Sequence, residues 1–100
     1  MAMKPIRILL ADDHALVRTG IATLLQSNED FAIVGEAGDG EEAIRLTKKL
    51  SPDVVVIDLS MPKISGVEAA RTIRTECPKT RVLVLTMHEN EEYVYQIFKA

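Results

Sequence analysis

The sequence predicts an α/β fold, a doubly wound parallel sheet with helices packed against it. Three observations predict it. Short runs rich in Ile, Leu and Val alternate with longer amphipathic segments, in the order β-α-β-α-β-α-β-α. The runs "IRILLA", "VVVID" and "RVLVLT" are apolar almost throughout, instead of alternating apolar with polar. That marks strands buried on both faces, as parallel strands are. The connections are short, and units of this kind stack with right-handed crossovers. One hundred residues make one domain with a modest core.

Residues 6–11 form the first strand, closed by Asp12-Asp13. Residues 15–26 carry Val17, Ile21, Leu24 and Leu25 at helical spacing, and Ser27-Asn28-Glu29-Asp30 breaks that helix. Residues 31–37, "FAIVGEA", are the second strand, stopped by Gly38-Asp39-Gly40. The second helix covers 41–50 with Ala43, Leu46, Thr47 and Leu50 inward. Its acids come first and Lys48-Lys49 last, which suits the helix dipole. Ser51-Pro52 ends it, and 54–58 is the third strand. A third helix starts at Gly66 or Val67 and runs to Glu76, with Val67, Ala70 and Ile73 on one face and Pro78 beyond its end. Residues 81–86 are the fourth strand. Residues 91–99, with Tyr93, Val94, Ile97 and Phe98 apolar, are expected as a fourth helix.

Apolar residues make up 47% and charged residues 27%, and the formal net charge is −3. That balance argues against direct binding of nucleic acid or anionic lipid, both of which need clustered cations. The longest apolar runs are too short to span a bilayer, and no signal-peptide pattern opens the chain. Cys77 is the single cysteine, so no intrachain disulfide forms. A reducing cytoplasm is expected, with Cys77 as small apolar filler at a helix end.

The acids carry the chemistry. In a parallel sheet the strands' C-terminal ends share one edge, where ligand sites of open α/β sheets lie. The first strand ends in Asp12-Asp13, the third in Asp58 and the fourth in Thr86. If these strands are neighbours, the four residues converge. A lone Asp after a strand is usually a turn-former or a helix cap. Three acids and a hydroxyl closing different strands are harder to explain that way. At a spacing of about 4.8 Å each carboxylate pair repels by about 3 kcal/mol. Protonation of one acid, a lysine or a hard divalent cation would offset this. Mg²⁺ suits such a site, because it takes a few carboxylate oxygens and also accepts phosphate. The combination points to phosphoryl chemistry, in which a carboxylate can itself be the nucleophile.

The stretches "ILLADDH", "VVVIDLSMPKISGVEAA" and "VLVLT" resemble the response-regulator receiver domain, the phosphoacceptor half of bacterial two-component signalling, over the whole chain. "DDHALVRTGIATLL" is most similar to receivers of the NarL/LuxR type, which precede a helix-turn-helix DNA-binding domain. The resemblance implies a flavodoxin-like sheet of strand order 2-1-3-4, with a fifth strand beside the fourth and a fifth helix on the first helix's face. It makes Asp58 the phosphoacceptor. Asp13 directly, and Asp12 partly through water, would hold Mg²⁺ together with Asp58 and the backbone carbonyl of Ser60. The Ser60 hydroxyl would tune phosphate lifetime, Thr86 would be the switch hydroxyl, and Pro62 and Gly66 would shape the loop over the pocket. It further implies a histidine kinase as donor, a cytoplasmic setting, and DNA contact only through an output domain outside residues 1–100. The family's lysine, at the end of a fifth strand, and the aromatic switch residue before it have no counterpart here, since Lys99 does not match. Residues 1–100 therefore read as a C-terminally incomplete receiver lacking its fifth strand and fifth helix. The fourth strand's open edge, 82–85, is expected to drive self-association.

Two rivals stand beside the phosphoacceptor switch, which is not an enzyme beyond slowly hydrolysing its own aspartyl phosphate. One is a pseudo-receiver, an interaction module that is not phosphorylated. The other is a phosphatase of the haloacid-dehalogenase type, which wants a second acid two residues after its nucleophile, where Ser60 stands here. His14 is read as a loop-packing or helix-start residue in preference to a metal ligand or phosphodonor. His88 is a candidate for the pocket rim. "GDGEEA" lacks the lysine and spacing of a P-loop and reads as a turn and helix start. Tyr95 is a candidate contact on the signalling face.

Overall fold

The structure is a computed structural model that describes residues 4–58, 66–87 and 93–98. Its elements are β1 (Ile6–Ala11), α1 (Ala15–Gln26), β2 (Phe31–Ala37), α2 (Gly40–Leu50), β3 (Val54–Asp58), α3 (Gly66–Glu76), β4 (Arg81–Met87) and β5 (Tyr93–Phe98). The sheet order is β2-β1-β3-β4-β5. The first four strands are mutually parallel in the expected order, which is the flavodoxin-like arrangement.

Strand periodicity divides the core into two layers. Leu9, Ala11, Val55, Ile57, Val82 and Val84 point to one face and meet Ala43 of α2 and Ala69, Ala70 and Ile73 of α3. Ile8, Leu10, Val56 and Leu85 point to the other and meet Ala22 of α1, with Ile21 and Leu25 alongside. The continuous apolar runs are thus explained: both faces of β1, β3 and β4 are covered. Two helical positions differ from expectation. Leu24 is 74% exposed and Val67 40% exposed, because Ala22 and Ala69 take the inward positions on their helices.

The connections obey local chemistry. Asp39 caps α2 by accepting from the Glu42 N–H at 2.8 Å, and Glu42 Oε1 accepts from the Gly38 N–H at 3.1 Å. The expected turn and helix start at "GDGEEA" is what forms. Ser51 closes α2 in the left-handed conformation, with φ 48°. At the strands' N-terminal edge, Asp53 ties three strands: its carboxylate accepts from Arg7 N–H, its N–H donates to the Arg7 carbonyl, and its carbonyl accepts from Arg81 N–H.

Residues 93–98 correct one expectation. They form β5, antiparallel to β4, with Val82 opposite Phe98 and Met87 opposite Tyr93. Of the segment 91–99 expected as a helix, the described residues 93–98 are a strand instead, and 91, 92 and 99 lie outside the described residues. Nine residues are too few for a helix to be stable without strong packing. The run "YVYQIF" is rich in aromatic and β-branched residues, which favour strands. The edge of β4 also offers unpaired backbone groups that an adjacent strand satisfies. For the same reason 82–85 is paired and not an open edge; β5 is made from the segment expected as the fourth helix, and the four parallel strands keep the expected order 2-1-3-4 without a parallel fifth strand among the described residues.

Candidate functional site

β1 and β3 are neighbours in register, with Ala11 opposite Ile57, so their ends deliver Asp12 and Asp58 side by side. Both acids are nearly buried, at 3% and 4% exposure. Asp12 N–H donates to the Ala37 carbonyl at 3.0 Å, adding a rung to the β1–β2 ladder and fixing where its side chain starts. Arg18 of α1 braces the turn, donating from Nη1 to the Asp12 carbonyl at 2.6 Å and from Nε to Glu36 Oε1 at 2.8 Å.

Asp13 is more open, its side chain 27% exposed. His14 is the residue preceding the first turn of α1, and its N–H donates to Asp12 Oδ1 at 2.8 Å. Its ring turns back over the acids. Nδ1 lies 3.2 Å from Asp12 Oδ1, 3.0 Å from Asp13 Oδ1 and 3.7 Å from Asp58 Oδ2. Donor atoms of Asp12, Asp13, His14 and Asp58 all lie within 4.8 Å of one another.

The electrostatics follow. Burial, aided by the charge of Asp58, holds the Asp12 carboxyl above the usual carboxylate range, although the His14 N–H pulls the other way. The hydrogen bond to Asp12 and the charge of Asp13 push the His14 imidazole up. Asp12 Oδ2 is buried and has no hydrogen-bond partner among the described residues. A buried carboxylate with an orphaned oxygen, in a cluster of acids, fits a hard cation, and oxygen donors are the set such a cation takes. The cluster could therefore bind a metal ion.

Asp12, Asp13 and Asp58 are thus brought together as the strand ends predicted. Thr86 lies on β4, one residue beyond the Asp58–Leu85 pair, so its backbone is at the same edge. Ser60, Pro62 and His88 lie outside the described residues. Gly66 opens α3 and is buried. His14 holds the helix-start position expected of it, but its ring also joins the acids, which the spacing did not disclose. Arg18 was not singled out from sequence; its place one turn after His14, facing the strand ends, was the available signal. A separate cleft of about 470 Å³ opens at the opposite edge of the sheet, between the ends of α2 and α3. Lys48 and Glu76 pair across it at 2.5 Å, and it holds none of the strand-end acids.

The response regulator receiver domain family matches residues 8–100. The chain is 43% identical over 95 residues to the transcriptional regulatory protein YxjL of Bacillus subtilis, covering 95% of this chain and 44% of that protein. It is 42% identical to the transcriptional regulatory protein DegU of Brevibacillus brevis, covering 94% of this chain and 40% of that one. It therefore spans less than half the length of these curated relatives. Among solved structures, the signal receiver domain of the response regulator NarL from Mycobacterium tuberculosis superposes with a TM-score of 0.82 at 36% identity, covering 87% of this chain and 70% of that one. A LuxR-family two-component response regulator from Aurantimonas sp. SI85-9A1 gives 0.80 at 43% identity, covering 86% and 61%.

Proposed function

The chain belongs to the response regulator receiver domain family, and on that premise we propose that residues 1–100 are a phosphoacceptor switch whose acceptor is Asp58. The observation that carries this reading is the position of Asp58. It ends a buried apolar strand, 4% exposed, beside Asp12 and its orphaned oxygen. β3 acts as a rigid post that fixes the nucleophile at the sheet edge. A histidine kinase presents a phosphohistidine. An Asp58 oxygen attacks phosphorus, the P–N bond breaks as the P–O bond forms, and the leaving imidazole takes a proton. The aspartyl phosphate then hydrolyses slowly.

Asp12, Asp13, Asp58 and the Ser60 backbone carbonyl would hold Mg²⁺. Bound there, the ion supplies positive charge against the phosphoryl oxygens. Arg18 positions the strand-end turn by its bond to the Asp12 carbonyl. Thr86, at the neighbouring strand end, turns its hydroxyl toward the phosphoryl group and carries its loop with it. The switch acts in the cytoplasm. Relatives more than twice as long and named as transcriptional regulators support an output domain that binds DNA, with the receiver itself making no DNA contact. Among the described residues no helix is long and apolar enough to cross a membrane.

The test is intact-mass measurement after incubation with acetyl phosphate and Mg²⁺. Wild type should gain one phosphoryl group and Asp58→Asn none. Equal labelling of Asp58→Asn would overturn the assignment.

A further inference from the structure

We propose that His14 is a fourth donor of the cation site and tilts its preference from magnesium toward divalent ions that accept imidazole nitrogen, such as Co²⁺ and Zn²⁺. This rests on the reading that the acidic cluster holds a cation.

The geometry carries it. Around a six-coordinate ion with bonds near 2.1 Å, adjacent donors stand about 3.0 Å apart and opposite ones about 4.2 Å apart. His14 Nδ1 stands 3.0 Å from Asp13 Oδ1, 3.2 Å from Asp12 Oδ1 and 3.7 Å from Asp58 Oδ2. These are spacings of groups that can share one ion. The ring is not there by chance of exposure, since the same residue's N–H is bonded to Asp12 Oδ1 at 2.8 Å, which anchors its base against the cluster. On the same carboxylate, in a residue only 3% exposed, Asp12 Oδ2 has no hydrogen-bond partner among the described residues, which leaves an oxygen for a cation to satisfy.

The chemistry gives the direction. Three carboxylates alone form a hard oxygen set suited to Mg²⁺. Adding one imidazole favours metals later in the first transition row, for which nitrogen is a better donor. An ionised carboxylate only accepts hydrogen bonds, so to bond such acids Nδ1 must carry the ring hydrogen. As a ligand it presents its lone pair, with the ring hydrogen on Nε2. A histidine that only bonded the acids would be pushed aside by any cation and would leave selectivity unaltered.

The experiment titrates the protein at neutral pH with MgCl₂ and, separately, with CoCl₂, reading the melting temperature and the visible absorption of Co²⁺. His14→Gln and His14→Asn are compared with wild type. Asn is itself a favoured residue at a helix start, so the second variant guards the fold. The expected result is at least a tenfold loss of Co²⁺ affinity in both variants, with Mg²⁺ affinity changed less than twofold and the Co²⁺ spectrum altered. Equal changes for the two metals, or none for Co²⁺, would overturn the proposal. A wild type whose melting responds to Co²⁺ through His14 but not to Mg²⁺ would overturn the magnesium reading and leave this one standing.

Discussion

Asp12 carries much of the electrostatic cost of the site. Its carboxyl is buried, it faces Asp58, and one oxygen has no partner among the described residues. Its pKa in the folded chain lies above its unfolded value. A group shifted in that direction binds its proton more tightly when folded. Its contribution to stability is fully present below the unfolded value, near pH 4, and is lost as pH rises through the folded value. At neutral pH, without metal, the ionised acid is therefore a liability. Asp12→Asn keeps an oxygen for the His14 N–H and removes the buried charge that Asp58 repels. Metal-free stability at neutral pH should rise by roughly 1–2 kcal/mol, measured by urea denaturation in a chelator. The gain should shrink on acidification, as wild-type Asp12 takes up its proton. The same variant should lose most of the rise in melting temperature that cations give wild type. A variant no more stable than wild type at pH 7 would show that Asp58 and burial cost less than the geometry indicates.

At the scale of elements, the β1–β2 pair contains the tightest constraint. Ile8 pairs with Ile33 but Leu9 with Gly35, so Val34 is an extra residue and β2 bulges there. A Cβ added at Gly35 would lie 3.0 Å from Leu50 Cδ1 and 3.1 Å from Leu9 Cδ1. The glycine lets α2 and β1 close over the bulge. Gly35→Val should cost about 1–3 kcal/mol by overpacking, read from thermal or urea unfolding, whereas Gly20→Ala, with open space around it, should be neutral or slightly stabilising. Most elements were legible because two signals agreed in each: an apolar run and a breaker such as Ser27-Asn28 or Gly38-Asp39-Gly40. Residues 93–98 were not, because Tyr93, Val94, Ile97 and Phe98 fit a helical stripe as well as a strand. What decides between them is the β4 edge, which is a property of the sheet and not of the segment. The site divides the same way. Asp12, Asp13 and Asp58 were legible as strand endings. The ring of His14 was not, because its place depends on oxygens brought in by two separate strands.

For the whole molecule, β5 replaces β4 as the last strand of the sheet among the described residues. The sheet now ends in β2 on one side and β5 on the other. β5 reads "YVYQIF": six residues with no proline, no charge and high strand preference. An edge of that composition lacks the lysines, prolines and bulges with which proteins discourage pairing between chains. Its outer backbone groups can satisfy the β5 of a second copy, extending the sheet across a two-fold axis in which each edge faces itself. Receiver domains of response regulators often dimerise, so association here has a family setting, but the edge makes its own demand. The chain should therefore elute from size exclusion larger than a monomer, with light scattering giving the mass of two or more copies and the proportion rising with concentration. Gln96→Lys puts a charge in the middle of β5 at the one position already polar. It should shift the population toward monomer while leaving the β4–β5 pairing and the carboxylate cluster in place. A wild type that stays monomeric at high concentration would mean that the β5 edge is covered. An associated Gln96→Lys as large as wild type would place the contact elsewhere, with Leu16 and Leu24 on α1, 87% and 74% exposed, the next surface to substitute.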